Sequence, residues 1–419
     1  MLNSLALFPF VILTGIIIYL LFKALVSEDK REILSPIFFI SLILLYYVIM
    51  PIVMIRQEEE LLLIEDKHVF YWVALLFFVC ILIGFSIKSG FHFTKWNTVL
   101  TEKKAVTYAV ILFLLMMLIY VPVRGFRYTI AAEDASGDIY RGGLTAYLAQ
   151  VIAFGCAICG LMYMGVKNNK KPLHAIVFII ILYITLVAYI VTGFRYKIVW
   201  LLIVLYTVYQ AYPKPRRINI LLVGIIGVVT YIGFGIMDYS RNYGKGLDMN
   251  GIEEYEDNDI LGSKENISVC SFSIKVVNFS NETGDRIGVE PILTAVLMPI
   301  PRSWFSSKPD GAYLKYIQRR LVGNDSEGKA FLSFAEAFWS FGWLGVIIYG
   351  LLLGFLSRIF WGNYCDNPDS IGAILLLALF NGFCFQWISR GYLAANVNQF
   401  IYFVILPFVF FRLFKLFSK

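Results

Sequence analysis

The chain has 419 residues, of which 59% are hydrophobic and 16% charged, with a formal net charge of +7. A soluble domain is seldom more than about half apolar, so this composition, with a mean hydropathy of +0.73, excludes an ordinary soluble fold. The basic balance is that of a membrane protein whose cytoplasmic loops face anionic lipid; no basic stripe interleaved with aromatics points to nucleic acid.

A bilayer crossing takes about 20 apolar residues. Runs of that kind fall at 4–26, 34–55, 69–87, 105–122, 144–166, 174–192, 196–212, 218–237, 340–361, 371–388 and 399–417. The predicted fold is therefore all-α. It is a polytopic integral membrane protein with about eleven transmembrane helices, forming one transmembrane domain over 1–419, with a long polar loop at 238–335 inserted between two spans. The first run lacks a basic n-region and a small-residue cleavage site, so it reads as a retained helix and not a signal peptide. Only Gly193-Phe194-Arg195-Tyr196-Lys197 divides 174–192 from 196–212. That pair is either two tilted helices or a broken, partly re-entrant one, which is tolerated where it lines a cavity.

Lysine and arginine in short loops set the orientation. One side of the predicted topology collects seventeen of them and the other eight. The richer side is cytoplasmic, which puts the N-terminus outside, the C-terminus inside and the long loop outward. The six cysteines form no disulfide framework. Cys156-Ala-Ile-Cys159 has redox spacing, but it lies mid-span without the surrounding fold such a motif needs, and packing is the simpler reading. Charges buried mid-span are essentially absent, which counts against pumps and ion channels. No internal repeat supports an inverted-repeat transporter.

The loop is not uniform. The acidic stretch from Gly246 to Ser268 could recruit a divalent cation, but it lacks the fixed spacing of a calcium site and reads as solvated; the metal alternative stays open without support from ligand spacing. Ile287 to Pro299 turns apolar and is expected to lie on or dip into the membrane. Prolines then fence Arg302 and Lys308 in Met298-Pro-Ile-Pro-Arg302-Ser-Trp304-Phe-Ser-Ser-Lys308-Pro309, and proline stiffens the backbone that carries both cations. From Asp310 to Gly323, Leu314, Ile317 and Leu321 recur at helical spacing against Lys315, Gln318, Arg319 and Arg320, an interfacial amphipathic helix with a basic face. Arg195 and Arg390, each in a glycine-bearing turn, join Arg302 on the outer face. Their simpler reading is snorkelling into the headgroup layer. Glu336 is a candidate general base, but Ser333-Phe-Ala-Glu336 is also a capping-box pattern. On the ninth span, Gly350 and Gly354 are spaced to admit a second helix.

Pro301-Arg302…Lys308-Pro309, followed by Glu336-Ala-Phe-Trp-Ser-Phe-Gly342-Trp-Leu-Gly345, resembles the O-antigen polymerase family, Wzy, the oligosaccharide repeat-unit polymerases. Thr192-Gly193-Phe194-Arg195 is similar to the arginine motif those proteins keep between two mid-chain spans. Ser306 stands where a proline is expected. The motif-level similarity covers some forty residues, the span layout the whole chain.

The resemblance implies glycosyl transfer on the outer face of a bacterial inner (plasma) membrane. The substrate would be an undecaprenyl-diphosphate-linked oligosaccharide, passed to a new lipid-linked repeat unit. The product would be O-antigen, capsule or exopolysaccharide. The reaction needs no cofactor, since the diphosphate already activates the donor carbon. Besides the lipid bilayer, a chain-length regulator protein is an expected partner. Glu336 would be the catalytic base, and Arg302, Arg195 and Arg390, with Lys308 in support, would bind the diphosphates as permanently charged donors. The alternatives from the same chemistry are an O-antigen ligase, for which a loop histidine would be expected, and a lipid-linked oligosaccharide flippase, which usually has short loops and pseudo-symmetric halves.

Overall fold

Runs of apolar residues whose backbone polar groups must be satisfied within the segment form helices in lipid, and the computed structural model is built almost wholly of them. It describes residues 4–53, 67–88, 102–126, 148–168, 171–192, 195–217, 265–298, 311–323 and 329–417, with single residues or pairs at 90, 224, 227, 241–242, 246–247, 300, 304–305, 307 and 309. Among these, the only strand pairing is a two-residue antiparallel ladder, Arg241 opposite Leu247 and Asn242 opposite Gly246.

Eight helices among the described residues are long and apolar enough to cross a membrane: Leu7–Val26, His68–Ser86, Lys104–Arg124, Ala149–Lys167, Pro172–Val191, Ser333–Asp366, Ile371–Ser389 and Leu393–Leu413. The protein is a polytopic membrane protein. Each of the eight coincides with an expected span. Of the other three, 34–55 corresponds to a shorter apolar helix, Pro36–Ile52, and 196–212 to Arg195–Ala211, of 17 residues. The span expected at 218–237 lies outside the described residues except for 224 and 227, as do nearly all the acidic residues of the expected solvated stretch.

The chain divides into two compact units. One comprises Met1–His92, Glu265–Gly362 and Cys384–Asn398; the other comprises Phe93–Lys264, Asn363–Phe383 and Gln399–Lys419. In the first, the helices His68–Ser86 and Ser333–Asp366 approach backbone to backbone. A Cβ built on Gly354 would fall 2.1 Å from the Ile81 carbonyl oxygen, one on Gly84 2.4 Å from that of Leu351, and one on Gly350 2.7 Å from that of Phe77. Small residues are what permit such contact where lipid removes most of the hydrophobic drive between helices. Phe334 fills the neighbouring space, its ring 5.5 Å from Phe70 and 5.4 Å from Phe77.

Three helices fall within the long loop: Glu265–Thr283, Glu290–Leu297 and Ala312–Val322. The last lies inside the stretch expected to be amphipathic. Gly311 and Gly323, both at φ 77°, bracket it, and the Gly323 N–H closes its end on the Arg319 carbonyl at 3.0 Å, as left-handed glycine caps do. Glu265–Thr283 is the unexpected one. It is mostly buried, polar residues included: Asn266, Ser271, Ser273 and Ser280 are all inaccessible. Asn266 Nδ2 donates to Tyr46 O at 3.3 Å, inside the wide turn Leu45–Ile49 that interrupts the second helix. Ser273 Oγ accepts from the Leu332 N–H at 2.8 Å, which anchors the chain as it enters the Ser333–Asp366 helix.

In the second unit, Trp200 meets Phe403 at 4.5 Å between ring centroids. Cys156 and Cys159 are both buried and free. Cys156 Sγ lies 3.3 Å from the Tyr189 hydroxyl, and Cys159 Sγ donates weakly to Thr185 Oγ1 at 3.9 Å. Both contacts are those of packed thiols.

A candidate site around Glu336 and Arg390

The helix Ser333–Asp366 is broken once. Phe341 (φ −135°, ψ 19°) and Gly342 (φ 61°, ψ −143°) leave helical space, a conformation at Gly342 open to little besides glycine. The break frees the Trp339 carbonyl, and the Ile287 N–H fills it at 3.3 Å. Arg286 sits in the bend. Its guanidinium lies 5.0 Å from the centre of the Phe338 ring and donates to Ser280 O at 2.7 Å and to Ser280 Oγ. The first two turns, Ser333 to Ser340, thus form a short, separately aimed helix, and Glu336 lies on it.

Glu336 is buried, with 1% of its surface exposed. The capping box expected at its own helix start does not form: Ser333 Oγ is buried without a hydrogen-bond partner. The carboxylate instead reaches away. Oε1 accepts from the Tyr313 hydroxyl at 2.7 Å, while Oε2 and Oε1 accept from the Leu393 N–H at 3.0 and 3.3 Å. Leu393 opens the helix Leu393–Phe400, so Glu336 satisfies one of the orphan N–H groups at a different helix start. It is a cap, but not of the helix that bears it.

Tyr313 is positioned by the amphipathic helix. Gly311 lets that helix begin close to Tyr392, whose hydroxyl would stand 3.0 Å from a Cβ at Gly311. The Tyr313 ring meets Trp339 and Tyr392 edge-on at 5.9 and 6.3 Å. Burial first, then the facing Glu336 carboxylate, push the Tyr313 phenol far above its ordinary range. It remains a donor at any working pH.

The turn that supplies the Leu393 N–H also carries Arg390. The Arg390 guanidinium pairs with Glu265 at the start of the Glu265–Thr283 helix. The Arg390 carbonyl accepts from Asn396 Nδ2 at 2.7 Å, and Asn396 Oδ1 accepts from Gln386 Nε2 at 3.3 Å. The Gly391 N–H donates to Phe331 O at 2.6 Å; a Cβ there would strike the Phe331 ring at 2.5 Å. Arg390 is thus only partly exposed, and its partner is a carboxylate, which is not the setting of a snorkelling side chain.

Glu336 and Arg390 are therefore brought to one four-residue turn, 390–393, within one compact unit. Arg195 belongs to the other unit. It begins the helix Arg195–Ala211 and is buried, as is Lys197, whose Nζ donates to Thr192 Oγ1 at 3.5 Å. Arg302 and Lys308 lie outside the described residues. The sequence reading did not single out Tyr313 or Arg286, and it placed Glu265 in the solvated acidic stretch. That placement is corrected, because Glu265 opens a buried helix and, with its side chain only 11% exposed, pairs with Arg390. A usable signal was the adjacency of Asp285 and Arg286 ahead of an apolar run; for Tyr313 and Glu265 none was visible.

Chemically, the arrangement is a buried carboxyl group held by two donors, with lone-pair capacity left for a further one, one turn from a guanidinium that already donates to a carboxylate. Among the described residues no group of three His, Cys, Asp or Glu side chains stands ready to hold a metal ion. No family model, curated protein or solved structure matches the chain.

Proposed function

We propose that this protein is a bacterial polysaccharide polymerase of the Wzy type, a membrane glycosyltransferase using polyprenyl-diphosphate-linked donors. In this reading it crosses the inner membrane eleven times, and 238–335 faces outward as the residues that meet the substrate. The observation that carries the reading is the joining of Glu336 and Arg390 through the 390–393 turn. Both residues were singled out in the sequence, Glu336 within the motif that resembles the family.

The reaction breaks the bond between the donor's anomeric carbon and the diphosphate oxygen, which leaves with the electron pair on the polyprenyl diphosphate. The acceptor sugar's hydroxyl oxygen forms the new bond to that carbon. Glu336 takes the proton it sheds. Arg390, released from Glu265 by a stronger phosphate partner, meets the charge developing on the leaving group, where fixed donors contribute most. Arg302 and Lys308 supply further positive charge for the two diphosphates. A chain-length regulator protein would act on the growing product.

The test is the set of lipid-linked intermediates in a deletion strain. Single repeat units at the cell surface, with no longer chains, support polymerisation. Repeat units trapped on the cytoplasmic side would make the protein a flippase, and long chains left on their lipid carrier would make it a ligase.

A further inference from the structure

The apolar side of the helix Ala312–Val322 is turned to protein. Tyr313, Ile317 and Gln318 are buried, and Leu314 and Leu321 are half-buried. The stripe that an interfacial helix would seat in lipid is thus taken up by packing, beginning with the Tyr313 hydroxyl on Glu336. What the helix turns outward is Lys315, Tyr316, Arg319 and Arg320, all exposed, at the i, i+1, i+4, i+5 spacing of one face.

A row of cations on a helix is ordinarily a solvated face, and two observations set this one apart. Among the described residues, neither Lys315 nor Arg320 forms an ion pair. The carboxylate beside them, Asp285, accepts instead from the Tyr316 hydroxyl at 3.2 Å. The second observation is the Tyr316 ring. It stacks on Trp339 at 6.4 Å between centroids and 15° between planes, yet the residue stays 48% exposed. A ring backed by another ring and fixed at its hydroxyl offers a firm apolar platform with a polar end. The C–H face of a sugar can rest on such a platform, and the cations on either side can then meet an acidic substituent of that sugar. A neutral glycan would leave both cations unmatched, and a small inorganic anion would make no use of the ring. An anionic lipid would want the apolar stripe turned outward, and here it is turned in. Trp339, on which both Tyr313 and Tyr316 lie, follows Glu336 by one helical turn, so the platform begins at the proposed site.

We infer that the outward face of Ala312–Val322 binds an acidic glycan, a repeat unit bearing a carboxylate or phosphate on its sugars, with Tyr316 beneath a ring and Lys315 and Arg320 on the acidic group. The inference rests on the glycan-transfer reading for the role of that glycan as substrate, and it specifies the substrate's charge.

The full-length protein, in nanodiscs of phosphatidylcholine, is titrated calorimetrically with trigalacturonate and with maltotriose at matched ionic strength. Saturable binding of trigalacturonate is expected, with maltotriose weaker by roughly tenfold or more. The double variant Lys315→Gln, Arg320→Gln and the single variant Tyr316→Ala should each lower the affinity for trigalacturonate by roughly tenfold or more. Lys88→Gln, which removes an exposed lysine on the side expected to be cytoplasmic, should bind as wild type. Equal binding of the two sugars, or undiminished binding in the double variant, would overturn the inference. So would tricarballylate binding as tightly as trigalacturonate, which would make the face a plain anion contact, or glycerophosphoglycerol doing so, which would assign it to lipid headgroups. If Tyr316→Ala does not yield folded protein, the double variant decides, since its two side chains are exposed and unpaired by any described carboxylate.

A second arm reads the substrate directly. The single repeat units that accumulate in the deletion strain, freed from their lipid diphosphate by mild acid, should carry at least one uronate or phosphate by mass spectrometry. A neutral repeat unit would overturn the inference and leave polymerisation standing. If no single units accumulate, it is the polymerase reading that fails, and the titrations alone decide whether the face takes an acidic glycan.

Discussion

Glu336 and Leu393 stand 57 residues apart in sequence, yet the carboxylate of one caps the helix that the other begins. The same carboxylate receives the Tyr313 hydroxyl, from 23 residues away. Three segments thus meet on one side chain: the short helix before the Gly342 bend, the amphipathic helix of the long loop, and the turn that holds Arg390. Any catalytic role for Glu336 is superimposed on this structural one, and a variant must be read for both.

Glu336→Ala leaves two donors without an acceptor and should cost about 2–6 kcal/mol of stability, at about 1–3 kcal/mol per orphaned group. Glu336→Gln keeps one acceptor oxygen and should cost less. Tyr313→Phe removes one donor from the carboxylate. A double-mutant cycle of Tyr313→Phe with Glu336→Gln, followed by thermal or denaturant unfolding, should give a coupling of about 0.5–3 kcal/mol. Strict additivity would mean that the two groups do not interact. If Glu336 also accepts a proton from substrate, polymer per folded molecule should fall by roughly 10²-fold in Glu336→Gln, more than any change in protein level accounts for.

The close approach of the helices His68–Ser86 and Ser333–Asp366 makes a separate prediction. A methyl at Gly354 would sit 2.1 Å from Ile81 O, a backbone atom that no side-chain rotation can move. Gly354→Ala should therefore force the two helices apart and lower the yield of folded protein, with a destabilisation of about 1–3 kcal/mol from overpacking. Gly362→Ala, where a Cβ meets nothing within 4 Å, is the control. Equal thermal stability of the two variants would contradict the packing.

Where the sequence spoke, it did so through patterns of short range. Uninterrupted apolar runs marked the eight long helices, and the spacing of Leu314, Ile317 and Leu321 marked the helix at Ala312–Val322. Glu265–Thr283 escaped because it buries serines and an asparagine beside its apolar residues, so it shows neither an unbroken run nor a clean stripe. The bend at Phe341–Gly342 escaped because Phe-Gly-Trp-Leu-Gly reads equally well as continuous membrane helix. Glu336 was visible as a carboxylate at a helix start, and the capping box was a fair expectation from Ser333. Its real partners were hidden because they come from other segments, as Glu265 does for Arg390 across 125 residues. Pairings of that range leave no trace in one sequence.

Topology can be tested with single cysteines in a Cys365→Ser background, since the other native cysteines are buried. The excess of lysine and arginine on one side places Lys30 inside and Glu282 outside, and both side chains are exposed. A membrane-impermeant thiol reagent should label Glu282→Cys, but not Lys30→Cys, in cells with a permeabilised outer envelope. Labelling of Lys30→Cys alone would invert the orientation and place the Glu336 and Arg390 turn on the cytoplasmic face.

The pair of Arg390 with Glu265 separates a working guanidinium from a structural one. The two side chains are 22% and 11% exposed, so the contact is screened less than a surface ion pair. If Arg390 serves only to hold the 390–393 turn against the Glu265–Thr283 helix, then Arg390→Lys and Glu265→Gln should each destabilise by about 1–3 kcal/mol. Polymer should then follow the amount of folded protein and nothing else. If Arg390 leaves Glu265 to meet a diphosphate, the two variants part company. Glu265→Gln removes the competing anion and leaves the guanidinium in place, so chain lengthening should persist at limiting substrate. Arg390→Lys replaces a planar, bidentate fork with a point charge, and a lost contact of about 2–4 kcal/mol in a water-poor site corresponds to roughly 10²–10³ in rate. The expected product of Arg390→Lys is then mostly single repeat units from stable, inserted protein. A normal chain-length ladder from Arg390→Lys would return the residue to a purely structural role, and the search for the diphosphate's partner would move to Arg302 and Lys308.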